Sequence, residues 1–177
     1  MKTTHAVWER ENLGVDAYEI ALDASDTPDM LRQEERRIVA AGAEYIVVKT
    51  PVDCPALLFS MQSLGYTYVE TVFHVMIRRD EYHMPASIAR FDRGLSVAER
   101  TEAADRERIY GLIRRGVFKS DRVSIDPFFG REKGGNRYAN WLRGMLERGG
   151  FLYEVLSGEK PIGFFVICRK DETTVDP

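Results

Sequence analysis

Residues 151–169 read Phe151-Leu152-Tyr153-Glu154-Val155-Leu156-Ser157-Gly158-Glu159-Lys160-Pro161-Ile162-Gly163-Phe164-Phe165-Val166-Ile167-Cys168-Arg169. Two runs rich in aromatic and branched side chains, 151–156 and 161–169, flank the turn Ser157-Gly158-Glu159-Lys160. That pattern predicts an antiparallel hairpin. Working back toward the N-terminus, residues 135–148 place Tyr138, Trp141, Leu142 and Met145 on one helical stripe. Residues 118–134 read as a loop of charges and aromatics, and 102–116 as a helix whose Ile109, Leu112 and Ile113 share a face. Leu95 to Arg100 reads as a short strand. The second half is therefore strand, helix, loop, helix, hairpin. Beyond Lys170 only residues 171–177 remain, too few for another packed element.

The first half alternates strand and helix signals. Val15 to Leu22 predicts a strand, and Thr27-Pro28 a helix start, with a capping hydroxyl before proline at the first helical position. Gly42 stops that helix. Tyr45-Ile46-Val47-Val48 predicts a strand covered on both faces. Ala56 to Leu64 predicts a helix, and Tyr66 to Arg79 a long strand with Val69, Thr71, Phe73, Val75 and Ile77 on one face. This βαβαβ layout favours parallel strands joined by right-handed crossovers. The expected organisation is an α/β chain with mixed sheets, α+β overall: a subdomain over 1–80, a linker over 81–94 containing Pro85, and a second domain over 95–177.

Composition narrows the function classes. With 44% hydrophobic and 30% charged residues among 177, the chain is globular in type, and its net charge of −3 is spread along its length. No basic stripe points to nucleic acid. No apolar run is long enough to span a bilayer, and residues 1–11 lack the apolar core of a leader, which predicts a cytoplasmic protein. Cys54 and Cys168 form neither a CxxC pair nor a Cys/His cluster, so no metal site is predicted. Cys54, at a predicted helix start, sits where a thiolate is favoured, yet without a histidine nearby it reads as structural. A Gly-x-Ser-x-Gly elbow is absent, and His5, His74 and His83 are poorly placed for a triad.

The segment Gly158-Glu159-Lys160-Pro161-Ile162-Gly163-Phe164 resembles the second-to-third strand hairpin of the GNAT N-acetyltransferase superfamily. The stretch from Ser120-Asp121-Arg122-Val123 through Asp126-Pro127-Phe128-Phe129 to Arg137-Tyr138-Ala139-Asn140-Trp141-Leu142 resembles the branch containing the TDP-fucosamine acetyltransferases. Lys49-Thr50-Pro51, Leu64-Gly65-Tyr66 and Val69-Glu70-Thr71 resemble the extra N-terminal region of that branch, a GNAT closing half ahead of a real GNAT domain. The resemblance implies a fold that is GNAT-like but incomplete, with 95–177 as its opening half. It also implies transfer of an acetyl group from acetyl-CoA, the co-substrate, to a small amine such as an amino sugar nucleotide.

The family grips the acetyl-CoA pyrophosphate with a loop of the type Arg/Gln-x-x-Gly-x-Gly/Ala, which would fall after Asp176, as would its usual general base and its thiolate-protonating tyrosine. By resemblance the chain therefore carries an acceptor side, its catalytic residues unassigned and its activity alone in doubt. Arg131-Glu132-Lys133-Gly134-Gly135-Asn136 matches that loop at its first and fourth positions and fails at Asn136. Arg131, Gly134 and Gly135 are thus the only candidate cofactor contacts.

The candidate substrate contacts are Arg122, Asp126, Phe128, Tyr138 and Glu154. Arg122 has the planar fork that suits a phosphate or carboxylate. Asp126 would orient an amine or hydroxyl, and Phe128 would stack on a sugar or base. The plain alternative for this loop is a salt bridge and an aromatic plug. Tyr138 and Trp141 share the apolar stripe of their helix and read as core anchors before ligands. Glu154 reads as a strand glutamate facing water, the alternative being a base if burial raised its pKa. A different class of function stays open: a non-catalytic binding or assembly module, whose edge at 161–169 recruits a second copy or a complementing chain. A third reading is that the sequence is a piece of a longer protein.

Overall fold

The computed structural model describes residues 1–92 and 94–176, with Arg131 described in its backbone alone. The chain is α+β, with one mixed and one antiparallel sheet. It divides into two compact units, Met1–Glu70 with Asp121–Lys133, and Thr71–Ser120 with Gly134–Pro177. The segment 121–133, expected with the second half, packs with the first.

In the first unit, β1 (Lys2–His5), α1 (Trp8–Leu13), β2 (Ala17–Ala21), α2 (Pro28–Ala40), β3 (Tyr45–Lys49) and α3 (Pro55–Ser63) follow one another. β1 runs antiparallel to β2, and β2 runs parallel to β3. The α2 start is the predicted one: the Thr27 hydroxyl accepts from the Met30 N–H at 3.3 Å, with Pro28 following. Leu31 and Ile38 of α2 are fully buried against Ile20 and Leu22. β3 is half-buried rather than covered on both faces. β1 and α1 carry no strong sequence signal, because Lys2-Thr3-Thr4-His5 has no apolar alternation, and pairing with β2 creates the strand.

The long strand expected over 66–79 is not formed: residues 66–78 have no regular secondary structure. Period-two spacing says which side chains would share a face, but a strand also needs a neighbour to take its backbone hydrogen bonds. Among the described residues no strand lies alongside, and Phe73, Val75 and Met76 are 79%, 92% and 87% exposed. The expected linker contains a short helix, α4 (Ala86–Asp92), with no buried residue.

In the second unit, β4 (Leu95–Glu99) leads to α5 (Ala103–Arg114). Residues 122–125 form α6 (Arg122–Ile125) of the first unit before the chain returns in α7 (Arg131–Glu147), β5 (Phe151–Ser157), β6 (Lys160–Arg169) and β7 (Val175–Asp176). The antiparallel sheet has the order β4-β5-β6-β7. The predicted hairpin closes at Ser157↔Lys160 through Gly158-Glu159, with Gly158 at φ +61°, as a two-residue loop with glycine first requires. Ile109, Tyr110 and Ile113 of α5 pack with Ala139 and Leu142 of α7 and with Leu152 of β5. The chain end is not structureless, since Val175 and Asp176 pair with Arg169 and Cys168. Where a loop was expected, α6 forms because the Asp121 carboxylate accepts from the Val123 and Ser124 N–H groups at 3.0 and 3.1 Å. α7 starts at Arg131, ahead of the expected residue 135, so Gly134 and Gly135 are helical. A Cβ on Gly135 would meet the Arg114 carbonyl oxygen at 2.9 Å, so this glycine permits close approach to the end of α5. Among the described residues no helix is long and apolar enough to cross a membrane.

Candidate functional site

In the first unit the candidate acceptor residues Arg122, Asp126 and Phe128 are brought together on α6 and the turn after it. Arg122 is buried, and its Nη2 donates to Glu9 Oε1 at 3.0 Å and to Glu19 Oε1 at 3.4 Å. Lys49 Nζ closes on the other Glu19 oxygen at 2.7 Å. The Tyr45 hydroxyl donates to Asp126 Oδ2 at 2.6 Å, while Asp126 Oδ1 accepts from the Phe128 N–H at 2.9 Å. Burial, reinforced by that Asp126 bond, holds the Tyr45 phenol above its ordinary range. Phe129 plugs the core edge-on to Tyr45 at 4.6 Å, and Phe128 is exposed. Arg122 and Asp126 therefore tie this loop to its own unit, leaving Phe128 as the side chain turned outward.

In the second unit Glu154 is neither a water-facing glutamate nor a poised base. It is 2% exposed, because on β5 it shares the face of Leu152 that packs under α5. Arg108 grips it with two bonds, Nη1 to Oε1 at 2.9 Å and Nη2 to Oε2 at 2.7 Å, and Arg100 Nε adds a third at 2.8 Å. Asp105 accepts from Arg108 Nη2 at 3.1 Å. The Arg108 bonds, and after them Arg100, hold the Glu154 carboxyl below its usual range against the opposing effect of burial. A general base works best with a pKa near the working pH, so this carboxylate anchors the sheet instead of moving protons.

Directly across the β5–β6 ladder from Glu154 lies Phe164. Phe164 and Val166 of β6 form one wall of an open cavity of about 230 Å³. Ile113 and Phe118 form another wall, and Tyr138, Trp141, Leu142 and Met145 of α7 complete it. The aromatic rings are close: Phe118 to Tyr138 at 4.7 Å between centroids, and Tyr138 to Trp141 at 5.9 Å. Trp141, read as a core anchor, is 56% exposed, because its stretch of α7 fronts this cavity. Tyr138 is half-buried in the lining, so the helical stripe serves both core and pocket. The arrangement suits a flat or acyl-like apolar group held between rings and branched side chains.

The candidate cofactor segment forms no phosphate-cradling loop. Gly134 and Gly135 are buried within α7, and the Arg131 side chain lies outside the described residues. Burial first, and the Asp53 charge second, push the Cys54 thiol up, the opposite of a thiolate poised at a helix start. His5 stacks on Tyr18 at 4.5 Å and bonds Asp16 at 2.7 Å, while His74 and His83 are exposed.

Sequence reading missed Arg100, Arg108 and Phe118. The first two could have been suspected from Glu154 standing between Leu152 and Leu156 on one strand face, where a carboxylate needs a cation. No protein-family model matches this chain, and no curated protein or solved structure matches it either.

Proposed function

We propose that the chain is an N-acyltransferase polypeptide of the GNAT type, supplying the acceptor side for transfer of an acetyl group from acetyl-CoA to a small amine. The observation that supports it most is the second unit's architecture. β4, α5, α7, β5 and β6 follow in the order that the resemblance implies for a GNAT opening half, with β4, β5 and β6 antiparallel. The aromatic cavity beside β6 would hold the apolar part of the acceptor, leaving its amine at the open mouth. Transfer would proceed by attack of the neutral amine on the thioester carbonyl, which requires the two to be held together and a route for the proton. Glu154 fixes the sheet beneath that cavity and takes no proton.

The test is calorimetric titration of the 177-residue chain with an amine panel that includes amino sugar nucleotides, and with acetyl-CoA beside it. Saturable binding of an amine is the expected result, with acetyl-CoA binding weakly because Gly134 and Gly135 lie within α7 and build no cradle for its pyrophosphate. Absence of binding by every amine of the panel at millimolar concentration refutes the reading for this chain.

A second reading, an assembly module completed at a sheet edge, is favoured by β6. β7 covers it only at Cys168 and Arg169, so among the described residues 161–167 present a strand edge with no outer neighbour. Substitution of Val166 by proline would abolish association through that edge.

A further inference from the structure

Residues 72–77, Val-Phe-His-Val-Met-Ile, carry five large apolar side chains between 62% and 92% exposed. Among the described residues their backbone groups make no backbone–backbone hydrogen bond. A monomer in water rarely leaves such a stretch uncovered, and a chain with this alternation is one partner short of a β-ladder. The charges flanking it identify the partner. In a two-fold antiparallel pair of identical strands, residues opposite each other share a face, so the axis passes through a residue. An axis at Val75 sets Glu70 against Asp80 and Val72 against Arg78, a like-charge clash and an apolar–cation mismatch. An axis at Phe73 sets Glu70 against Met76. An axis at His74 sets Glu70 against Arg78, Val72 against Met76 and Phe73 against Val75, and symmetry makes each match twice.

We propose that the segment Glu70–Arg78 pairs antiparallel with the same segment of a second copy of this chain, about a two-fold axis at His74. The two copies use the same patch, and the pairing closes on itself as a dimer. Backbone hydrogen bonds supply the ladder, the Phe73–Val75 pairs cover one face, and the two Glu70–Arg78 pairs set the register. Both charged groups are available for it. Arg78 is in a loose surface pair with Glu81 at 3.7 Å. Glu70 accepts from the Arg122 N–H through Oε2 at 3.2 Å, and a carboxylate has lone pairs for further donors. The inference does not depend on the acyltransferase reading, and it involves a different segment from the β6 edge.

Sedimentation equilibrium over micromolar concentrations tests it. The chain is expected to show a concentration-dependent dimer, and Arg78→Glu to raise the dissociation constant about tenfold or more by placing like charges opposite each other twice. The double swap Glu70→Arg with Arg78→Glu should restore the dimer, which a merely misfolded variant cannot do. In a Cys54→Ser, Cys168→Ser background, His74→Cys should oxidise to a disulfide-linked dimer, since directly opposed residues lie within disulfide reach. Val72→Cys should not, its two copies standing roughly 13 Å apart along the strands. A monomer at every concentration overturns the proposal, and amide protection of 72–77 in that monomer would show the segment folded onto its own chain. A dimer indifferent to the charge swap, or one that cross-links as well at position 72 as at 74, overturns it equally.

Discussion

Glu154→Gln removes one negative charge from under α5 and changes almost nothing in shape. In the native arrangement the carboxylate receives three N–H donors from two arginines at 2.7–2.9 Å. Hydrogen bonds involving a charged group contribute about 1.5–3 kcal/mol each, and breaking a buried ion pair costs ~3–5 kcal/mol. The arginine side chains are 41% and 26% exposed against 2% for the carboxylate, so water can rehydrate them once the partner is gone. The amide oxygen of glutamine also keeps one acceptor in place. The expected loss is therefore near the low end, about 2–3 kcal/mol at pH 7. Urea unfolding followed through Trp141 fluorescence should show a midpoint about 1 M lower with an unchanged slope. The pH dependence has a fixed sign. A carboxyl held below its unfolded pKa gives its full stabilisation above the ordinary glutamate range, near pH 4.5, and loses it as pH falls through the folded value. The gap between wild type and Glu154→Gln should accordingly narrow as the pH is lowered from 5 toward 3. A midpoint shift too small to measure at pH 7, or one equally large at pH 3, would refute the anchoring role.

Three further outcomes follow from contacts described above. Arg122→Met should destabilise the first unit by about 3 kcal/mol, because Glu9 and Glu19 lose the cation buried between them; thermal unfolding by circular dichroism measures it. Arg122→Lys should recover only part of that loss, since an ammonium cannot reproduce the fork. Gly135→Ala forces a methyl to within 2.9 Å of the Arg114 carbonyl, and should cost roughly 1–3 kcal/mol by overpacking; Gly163→Ala, which meets nothing within 4 Å, is the control in the same urea titration. Tyr45→Phe deletes the hydroxyl on Asp126 and should cost ~1 kcal/mol in thermal unfolding, with the amine titration unchanged because Asp126 fastens its own loop.

The parts of the fold that could be read from residues are those built on local rules. The Gly158 hairpin, the Thr27-Pro28 helix start and the apolar stripe of α5 each depend on neighbours within a few positions. What escaped reading depends on distant partners. β1 is a strand only because β2 lies beside it, and 66–78 is not one because nothing does. Arg122 bonds Glu9 across 113 positions, a pairing that no spacing rule announces. For the candidate site the outcome divides the same way. The stripe that places Tyr138 on one helix face is local and legible, and that face lines the cavity, whereas the burial of Glu154, expected to face water, depends on remote arginines. Its two arginines come from the end of one strand and the middle of a helix, and only the packed sheet brings them to it.

The discontinuous make-up of the first unit sets an order on its folding. Its sheet strands all lie within the first 49 residues, yet the guanidinium that neutralises Glu9 and Glu19 is delivered by residue 122. A ribosome adding about 5–20 residues per second delivers Arg122 several seconds after the strands, whereas the Lys49 that bonds Glu19 at 2.7 Å is made with them. During that interval the sheet has all its strands but lacks the guanidinium that Glu9 accepts from, so its last charged contact is made after its backbone. Cleavage in the exposed stretch before α4 would leave the arginine held to those carboxylates by packing alone, through Val123 and Phe129 in the core and the Tyr45–Asp126 bond.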